Sequence, residues 1–245
     1  MFSFFRKKAP VDTNYFPISV DMHSHVLPGL DDGSPDVETS LRLIRGMHEL
    51  GIKKLIATPH IISDLYRNNP QKINTALNLL KSALAENQIP VQIFAAAEYM
   101  MDSYFLELLN GTEPLMTVQD NILLTEFSYA AKPNEPEKFS FAIQTAGYTP
   151  ILAHPERYAY YYGNYNMYHR LVDLGFLLQL NALSLTGYYG KGAVKAAEYM
   201  LKHGLISYVG TDLHHERHLS IFQDNRTKEL LQKNLSHQSW NEFLL

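Results

Sequence analysis

Short apolar runs alternate with longer amphipathic stretches along this chain. Runs rich in Val, Ile and Leu read as strands buried on both faces of a parallel sheet. Seven are predicted: Ile18–Met22, Lys54–Thr58, Val91–Ala97, Ile122–Glu126, Pro150–Ala153, Leu177–Leu180 and Ser207–Gly210. The Ala95-Ala96-Ala97 end of the third is weak strand material.

Helical spacing fills most of the gaps. Ser34-Pro35-Asp36 supplies an N-cap, a proline at the first helical position and an acidic first turn. That helix runs to Leu50, and Gly51 suits its left-handed stop. Asn69-Pro70 opens a second, with Ile73, Leu77, Leu80 and Leu84 on one buried stripe. Others are predicted from Asp102 to near Gly111, over 136–146, 165–174 and 191–203, with one or two more over 225–245. Such alternation builds a parallel α/β fold, closed as a barrel or left open as a doubly wound sheet.

The chemistry collects at the trailing ends of the strands. They deliver Asp21-Met22-His23-Ser24-His25, Thr58-Pro59-His60, Ala97-Glu98, Thr125-Glu126, Ala153-His154-Pro155-Glu156-Arg157 and Thr211-Asp212-Leu213-His214. In a parallel fold these ends share one face, where active sites form. Six strand ends meeting at one mouth favour a closed barrel. His23 and His25 are two apart, so a strand points both to one side, and Asp212 and His214 repeat the arrangement. Asp32, in Gly29-Leu30-Asp31-Asp32-Gly33, can fold back over the mouth. A lone His at a strand end is usually a satisfied core or surface residue, but six coincident cases are not. His48, His169, His203 and His237 fall on predicted helices and read as structural or solvated, while His215 and His218 lie in a loop beside the site.

Composition narrows the chemistry further. The 245 residues include 11 His and no Cys, which excludes disulfides, zinc-thiolate sites, iron–sulfur clusters and a cysteine nucleophile. Any metal must sit on His, Asp, Glu and water, a set that suits Mn, Fe or Zn better than Ca or Mg. A formal charge of −4 argues against nucleic-acid binding. No run reaches the ~20 apolar residues of a membrane span. The start, Met1 to Lys8, is apolar and then basic, the reverse of a secretory signal. It reads as a frayed terminus, and the chain as cytoplasmic.

The ordered motifs resemble those of the polymerase-and-histidinol-phosphatase (PHP) superfamily. Within it they resemble the bacterial manganese-dependent protein-tyrosine phosphatases encoded with capsule and exopolysaccharide export genes. The match runs from about residue 18 to 215 and includes the characteristic His154-Pro155-Glu156-Arg157-Tyr158. The resemblance implies an α/β fold: a distorted seven-stranded TIM-like barrel of the PHP type. This would be a single domain over residues 18–245, behind an extension of residues 1–17. It implies three divalent ions, most simply Mn. His23, His25, Glu98 and Asp212 would hold one, and Asp32, His60 and His214 a second. Glu98, Glu126 and His154 would hold the third, with Glu98 bridging. Arg157 matches the family's phosphate-contacting arginine, and Arg217 is a looser match for a second. His215 departs from the pattern, standing where relatives often carry Asn.

The reaction expected of such a site is phosphomonoester hydrolysis by a metal-bridged hydroxide, with ions about 3.5–4 Å apart. Four carboxylates against three divalent ions leave the site at about +2, and Arg157 adds one more, so it attracts a phosphate dianion. The implied partner is a phosphotyrosyl protein: a bacterial tyrosine kinase with a Tyr-rich tail that controls polysaccharide export. Rival readings are a small-molecule phosphatase of the histidinol-phosphate type, a metal-dependent nuclease and a non-catalytic metal-binding protein. The nuclease reading suffers from the lack of a basic stripe. Six of the 16 tyrosines fall between Tyr158 and Tyr168, either as an aromatic rim for a substrate ring or as a loop packed on itself.

Overall fold

The computed structural model describes residues 16–244, so most of the expected N-terminal extension lies outside the described residues. Of that extension, Phe16 is buried: its ring meets Phe222 edge-on, and its N–H donates to the Leu50 carbonyl.

Nine strands and eight α-helices alternate through the described residues. The strands are β1 (Val20–Ser24), β2 (Lys54–Ala57), β3 (His60–Ile61), β4 (Gln92–Ala95), β5 (Glu98–Met100), β6 (Ile122–Glu126), β7 (Thr149–Ala153), β8 (Leu177–Asn181) and β9 (Ile206–Gly210). All named pairings are parallel, in a three-stranded sheet β1-β2-β4 and a six-stranded sheet β3-β5-β6-β7-β8-β9.

Seven predicted strands become nine because two are interrupted. Pro59 has no N–H to give the ladder, so the second run breaks into β2 and β3. The third breaks at Ala96-Ala97, the stretch weakest in strand propensity. Register survives both breaks. Lys54 faces Gln92 and His60 faces Glu98 at the same sequence offset, and the Ala96 and Glu98 N–H groups still bond across to Ala57 and Pro59.

The helices are α1 (Val37–Glu49), α2 (Pro70–Glu86), α3 (Ser103–Leu109), α4 (Pro136–Thr145), α5 (Asn166–Asp173), α6 (Lys191–Lys202), α7 (Glu216–Gln223) and α8 (Asn225–Leu235). The α2 stripe is buried as its spacing predicts, and Asn69 caps it ahead of Pro70. The cap of α1 is Asp36 rather than Ser34: its carboxylate accepts the Thr39 N–H, while Ser34 is buried and bonds Ser40. A side chain that completes a buried network behind the helix is not free to cap it. The segment with His215 and His218 is helix α7, not loop, with His215 as its N-cap.

Two apolar clusters follow from the two faces of each strand. The larger joins the helices to the outward strand residues. The smaller gathers Val20, Met22, Ile56, Leu124, Ile151, Tyr208 and Leu244 from both sheets. Just past β9, Leu213 makes an isolated parallel bridge with Ser24 of β1, and the Asp212 and His25 N–H groups donate to the His23 and Leu213 carbonyls. Asn241 ties the same two strands lower down, with its amide on the Val20 and Val209 carbonyls. No helix among the described residues is long and apolar enough to cross a membrane.

Candidate metal centre

A register shift in β1 between Asp21 and Ser24 sets up the site. Before it, Val20 and Met22 enter the smaller apolar cluster; beyond it, His23 and His25 turn to the polar mouth. Their Nε2 atoms are 3.2 Å apart, and each lies 3.3 Å from Asp212 Oδ1. Gly210 makes room for this: a Cβ there would lie 2.7 Å from the His23 Cβ.

Glu98, fully buried at the start of β5, is the hub. His23, His25 and His60 place nitrogens 3.2, 3.4 and 3.2 Å from its Oε2, and His154 Nε2 lies 3.0 Å from its Oε1. His60 Nδ1 and Glu126 Oε1 are 2.9 Å apart. Asp32 Oδ1 reaches His60 and His214 at 3.7 and 3.6 Å. All nine expected ligand residues are thus brought together, in groups of donor atoms within 4.8 Å. The groups are His25, Asp32, His60 and His214; His23, His154 and Asp212; His23, His25 and Glu98; and His60, Glu98 and Glu126. They overlap the implied ligand sets without reproducing them, since His25 joins the Asp32 group, Asp212 groups with His23 and His154, and His60 takes the place of His154 beside Glu126.

Two of the expected ligand residues sit on strained backbone. His154 and Asp212 follow β7 and β9 at φ 38° and 51°, a region that non-glycine residues enter rarely. Such strain persists where surroundings fix it, commonly at functional sites.

The electrostatics describe a cluster assembled around positive charge. Burial alone would raise the Glu98 carboxyl, but the charges of His23 and His60 hold it well below the usual range. Burial and the Glu98 charge push Glu126 up instead. Burial works against a charged His60, yet Glu126 and Glu98 lift it to about 9. Burial and then the Arg157 charge take His154 down to about 4. Protons on some imidazoles thus offset the carboxylates. His60 Nδ1 and Glu126 Oε1 are buried and in contact, yet neither has a hydrogen bond. Buried polar atoms are rarely left so. Two orphaned donor atoms facing one point, within a mixed imidazole–carboxylate set, fit a divalent ion.

Several residues that hold the nine in place were not singled out from sequence. Asp31 accepts from His25 Nδ1 at 2.7 Å and from the Gly33 and His60 N–H groups at 3.0 Å each. Its side chain is 0% exposed against 56% for Asp32, so the two neighbours divide into support and candidate ligand. Gln179 bonds His23 Nδ1 at 2.8 Å, and Asn181 donates to Asp212 Oδ2 at 2.9 Å. Asp21 accepts the Thr211 N–H and hydroxyl, tying β1 to the end of β9. These supports direct the imidazole Nε2 atoms inward, as metal-binding histidines require.

Arg157 pairs with Asp212 at the mouth. Arg217 is exposed on α7, its guanidinium 5.3 Å from the Tyr188 ring. Tyr158, Tyr161 and Tyr168 are fully buried and meet in edge-to-face contacts, so the tyrosine-rich segment largely packs on itself. His218 is buried against Tyr188. His48 and His203 bond backbone carbonyls, and His169 bonds the Tyr199 hydroxyl.

Comparison with known proteins decides the family. Residues 19–244 match the family model described as capsular polysaccharide synthesis, CpsB/CapC. The chain belongs to the CpsB/CapC family. The tyrosine-protein phosphatase YwqE of Bacillus subtilis (strain 168) is 30% identical over 195 residues, covering 80% of this chain and 77% of the relative. The putative tyrosine-protein phosphatase CapC of Staphylococcus aureus is 28% identical, covering 80% and 76%. Among solved structures, crystal structures of YwqE from Bacillus subtilis and CpsB from Streptococcus pneumoniae are described as unique metal-dependent tyrosine phosphatases. The match there has a TM-score of 0.80 at 28% identity, over 89% of this chain and 88% of the other. Histidinol phosphate phosphatase from Lactococcus lactis aligns at TM-score 0.53 and 14% identity, a likeness of fold alone. The resemblance read from the motifs is thus borne out at the level of the family.

Proposed function

We propose that this chain is a metal-dependent protein-tyrosine phosphatase of the CpsB/CapC family. Its substrate is the autophosphorylated Tyr-rich tail of a bacterial tyrosine kinase that controls capsule or exopolysaccharide synthesis in the cytoplasm. The observation that carries this reading is the gathering of nine imidazole and carboxylate side chains, Glu98 among them, at one mouth with Arg157 beside them. Residues 18–245 act as one domain. Its two sheets form a single distorted barrel of seven strand positions, with β2–β3 and β4–β5 counting as one each and the β1–β9 contact as the seam.

His23, His25, Asp32, His60, Glu98, Glu126, His154, Asp212 and His214 hold three divalent ions, most simply Mn, with Fe or Zn as alternatives. Bound there, the ions supply Lewis acidity toward phosphoryl oxygens and lower the pKa of water. Arg157 exchanges Asp212 for the equatorial oxygens of the phosphoryl group, where charge accumulates in the transition state. Arg217, outside this cluster on α7, contacts the phosphate or the peptide flanking it. The buried supports Asp31 and Gln179 keep His25 and His23 aimed inward, so the site is formed before substrate arrives. The leaving group is a phenolate whose conjugate acid has a pKa around 10, and no strong general acid is required of the chain.

Purified protein supplied with Mn²⁺ should hydrolyse a phosphotyrosyl peptide and stop when a chelator is added. His154→Ala and Arg157→Ala should each remove most of that activity; full turnover by His154→Ala contradicts the site. In a side-by-side panel phosphotyrosine should outrun histidinol phosphate, and the reverse order favours the small-molecule reading.

A further inference from the structure

Arg157 lies between two rings that neither the motifs nor the proposed ligand set includes. Its guanidinium carbon is 5.0 Å from the centre of the Tyr129 ring and 4.1 Å from that of Tyr189, both within cation–π range. Tyr129 also stacks on His154, with its hydroxyl over the imidazole at 3.0 Å from Nδ1 and 3.5 Å from Nε2. Both rings rest on fixed supports. Tyr129 follows Phe127, whose N–H donates to the buried Tyr158 hydroxyl, and Ser128, whose carbonyl accepts from Tyr160. The Tyr189 hydroxyl accepts from Asn181, which also donates to Asp212. The tyrosine-rich segment thus anchors the loop that reaches the mouth, while Tyr129 itself, 46% exposed, presents one edge to solvent.

We propose that Tyr129 and Tyr189 form a two-ring clamp that positions Arg157 for a phosphoryl group. The inference rests on the proposed phosphatase reading. Its logic is competition for Asp212. A cation held by Asp212 weakens the ion pair with Arg157 and repels the guanidinium. The faces of two neutral rings then keep the guanidinium in place until phosphate arrives.

The test uses inorganic phosphate as a calorimetric probe on the full chain, alongside steady-state kinetics. In Mn²⁺-loaded protein, Tyr129→Leu and Tyr189→Leu should each weaken phosphate binding and raise KM for phosphotyrosyl peptide by roughly 3- to 30-fold. Tyr129→Phe and Tyr189→Phe should restore both, because the ring face remains. In an Arg157→Ala background the Leu substitutions should have no further effect on phosphate binding, since a positioning residue acts through the group it positions. A Leu effect that persists in full without Arg157, or Phe variants as impaired as the Leu ones, overturns the inference. Where a Leu variant folds poorly, a Met variant, which fills the space without a ring face, takes its place in the same comparison. Failure of the wild type to turn over phosphotyrosine while the phosphate coupling holds removes the proposed substrate but not the clamp. Normal turnover without the coupling removes the clamp alone.

Discussion

On β6, Leu124 faces the small apolar cluster, and Glu126, two residues on, faces the histidines. β9 repeats the change: Tyr208 lies in the apolar cluster, and Asp212, just past the strand, lies in the mouth. The same strands therefore build two interiors in sequence, an apolar floor and a charged mouth. The floor lowers its free energy by removing carbon from water. The mouth gathers four carboxylates and five imidazoles, all but Asp32 buried or partly buried, which desolvation penalises unless charge is balanced. The difference teaches that stability and chemistry are separated along these strands by two to four residues, one or two periods of the pleat. On β1 the separation needs a shift in register as well.

Perturbing each region in turn tests that separation. The largest effect belongs to the hub of the mouth. Glu98→Gln should lower kcat/KM for a phosphotyrosyl peptide by more than about 10³-fold while the protein remains folded by circular dichroism. The floor should behave in the opposite way. Leu124→Ala should cost about 2–5 kcal/mol in denaturant unfolding, yet leave kcat/KM within a few-fold at saturating Mn²⁺. A collapse of turnover in folded Leu124→Ala would show the two interiors to be mechanically one.

Metal loading should join the regions through linkage alone. Mn²⁺ at 100 times its Kd should stabilise the wild type by about 2.7 kcal/mol per site, and Glu98→Gln much less, as read from thermal unfolding. The smallest effect concerns pH in metal-free protein. His60 is raised to about 9 from an ordinary 6.5, its neighbouring carboxylates outweighing burial. Its contribution is therefore full below about pH 6.5 and lost as pH rises through 9. Metal-free protein should lose stability across that window, and Mn²⁺-loaded protein should not, because the imidazole is then already deprotonated.

Much of this was legible in the residues. Strand–helix alternation gave the element order, the repeated His, Asp and Glu at strand ends gave eight of the nine converging side chains, and the Gly29–Gly33 loop gave Asp32. HxH spacing correctly placed His23 and His25 on one side. The illegible part lies in relations between distant segments. Nothing local distinguishes Asp31 from Asp32; the burial of one and exposure of the other depend on where Gly33 lets the loop approach the His25 carbonyl. Tyr129 and Tyr189, the rings beside Arg157, carry no motif, whereas the tyrosines at 158–168 follow the second of their two readings, a loop packed on itself. The helical α7 was hidden because its N-cap is a histidine beside other histidines, which reads as site chemistry rather than as a helix start.

The most direct measurement is a count of ions. Chelator-stripped protein titrated with Mn²⁺, with bound metal quantified and phosphotyrosyl-peptide turnover followed in the same samples, should bind three ions per chain. Turnover should appear as the sites fill, and Glu98→Gln should bind fewer. Binding of no ion at millimolar Mn²⁺, or full turnover in the stripped protein, would contradict a metal centre at this mouth.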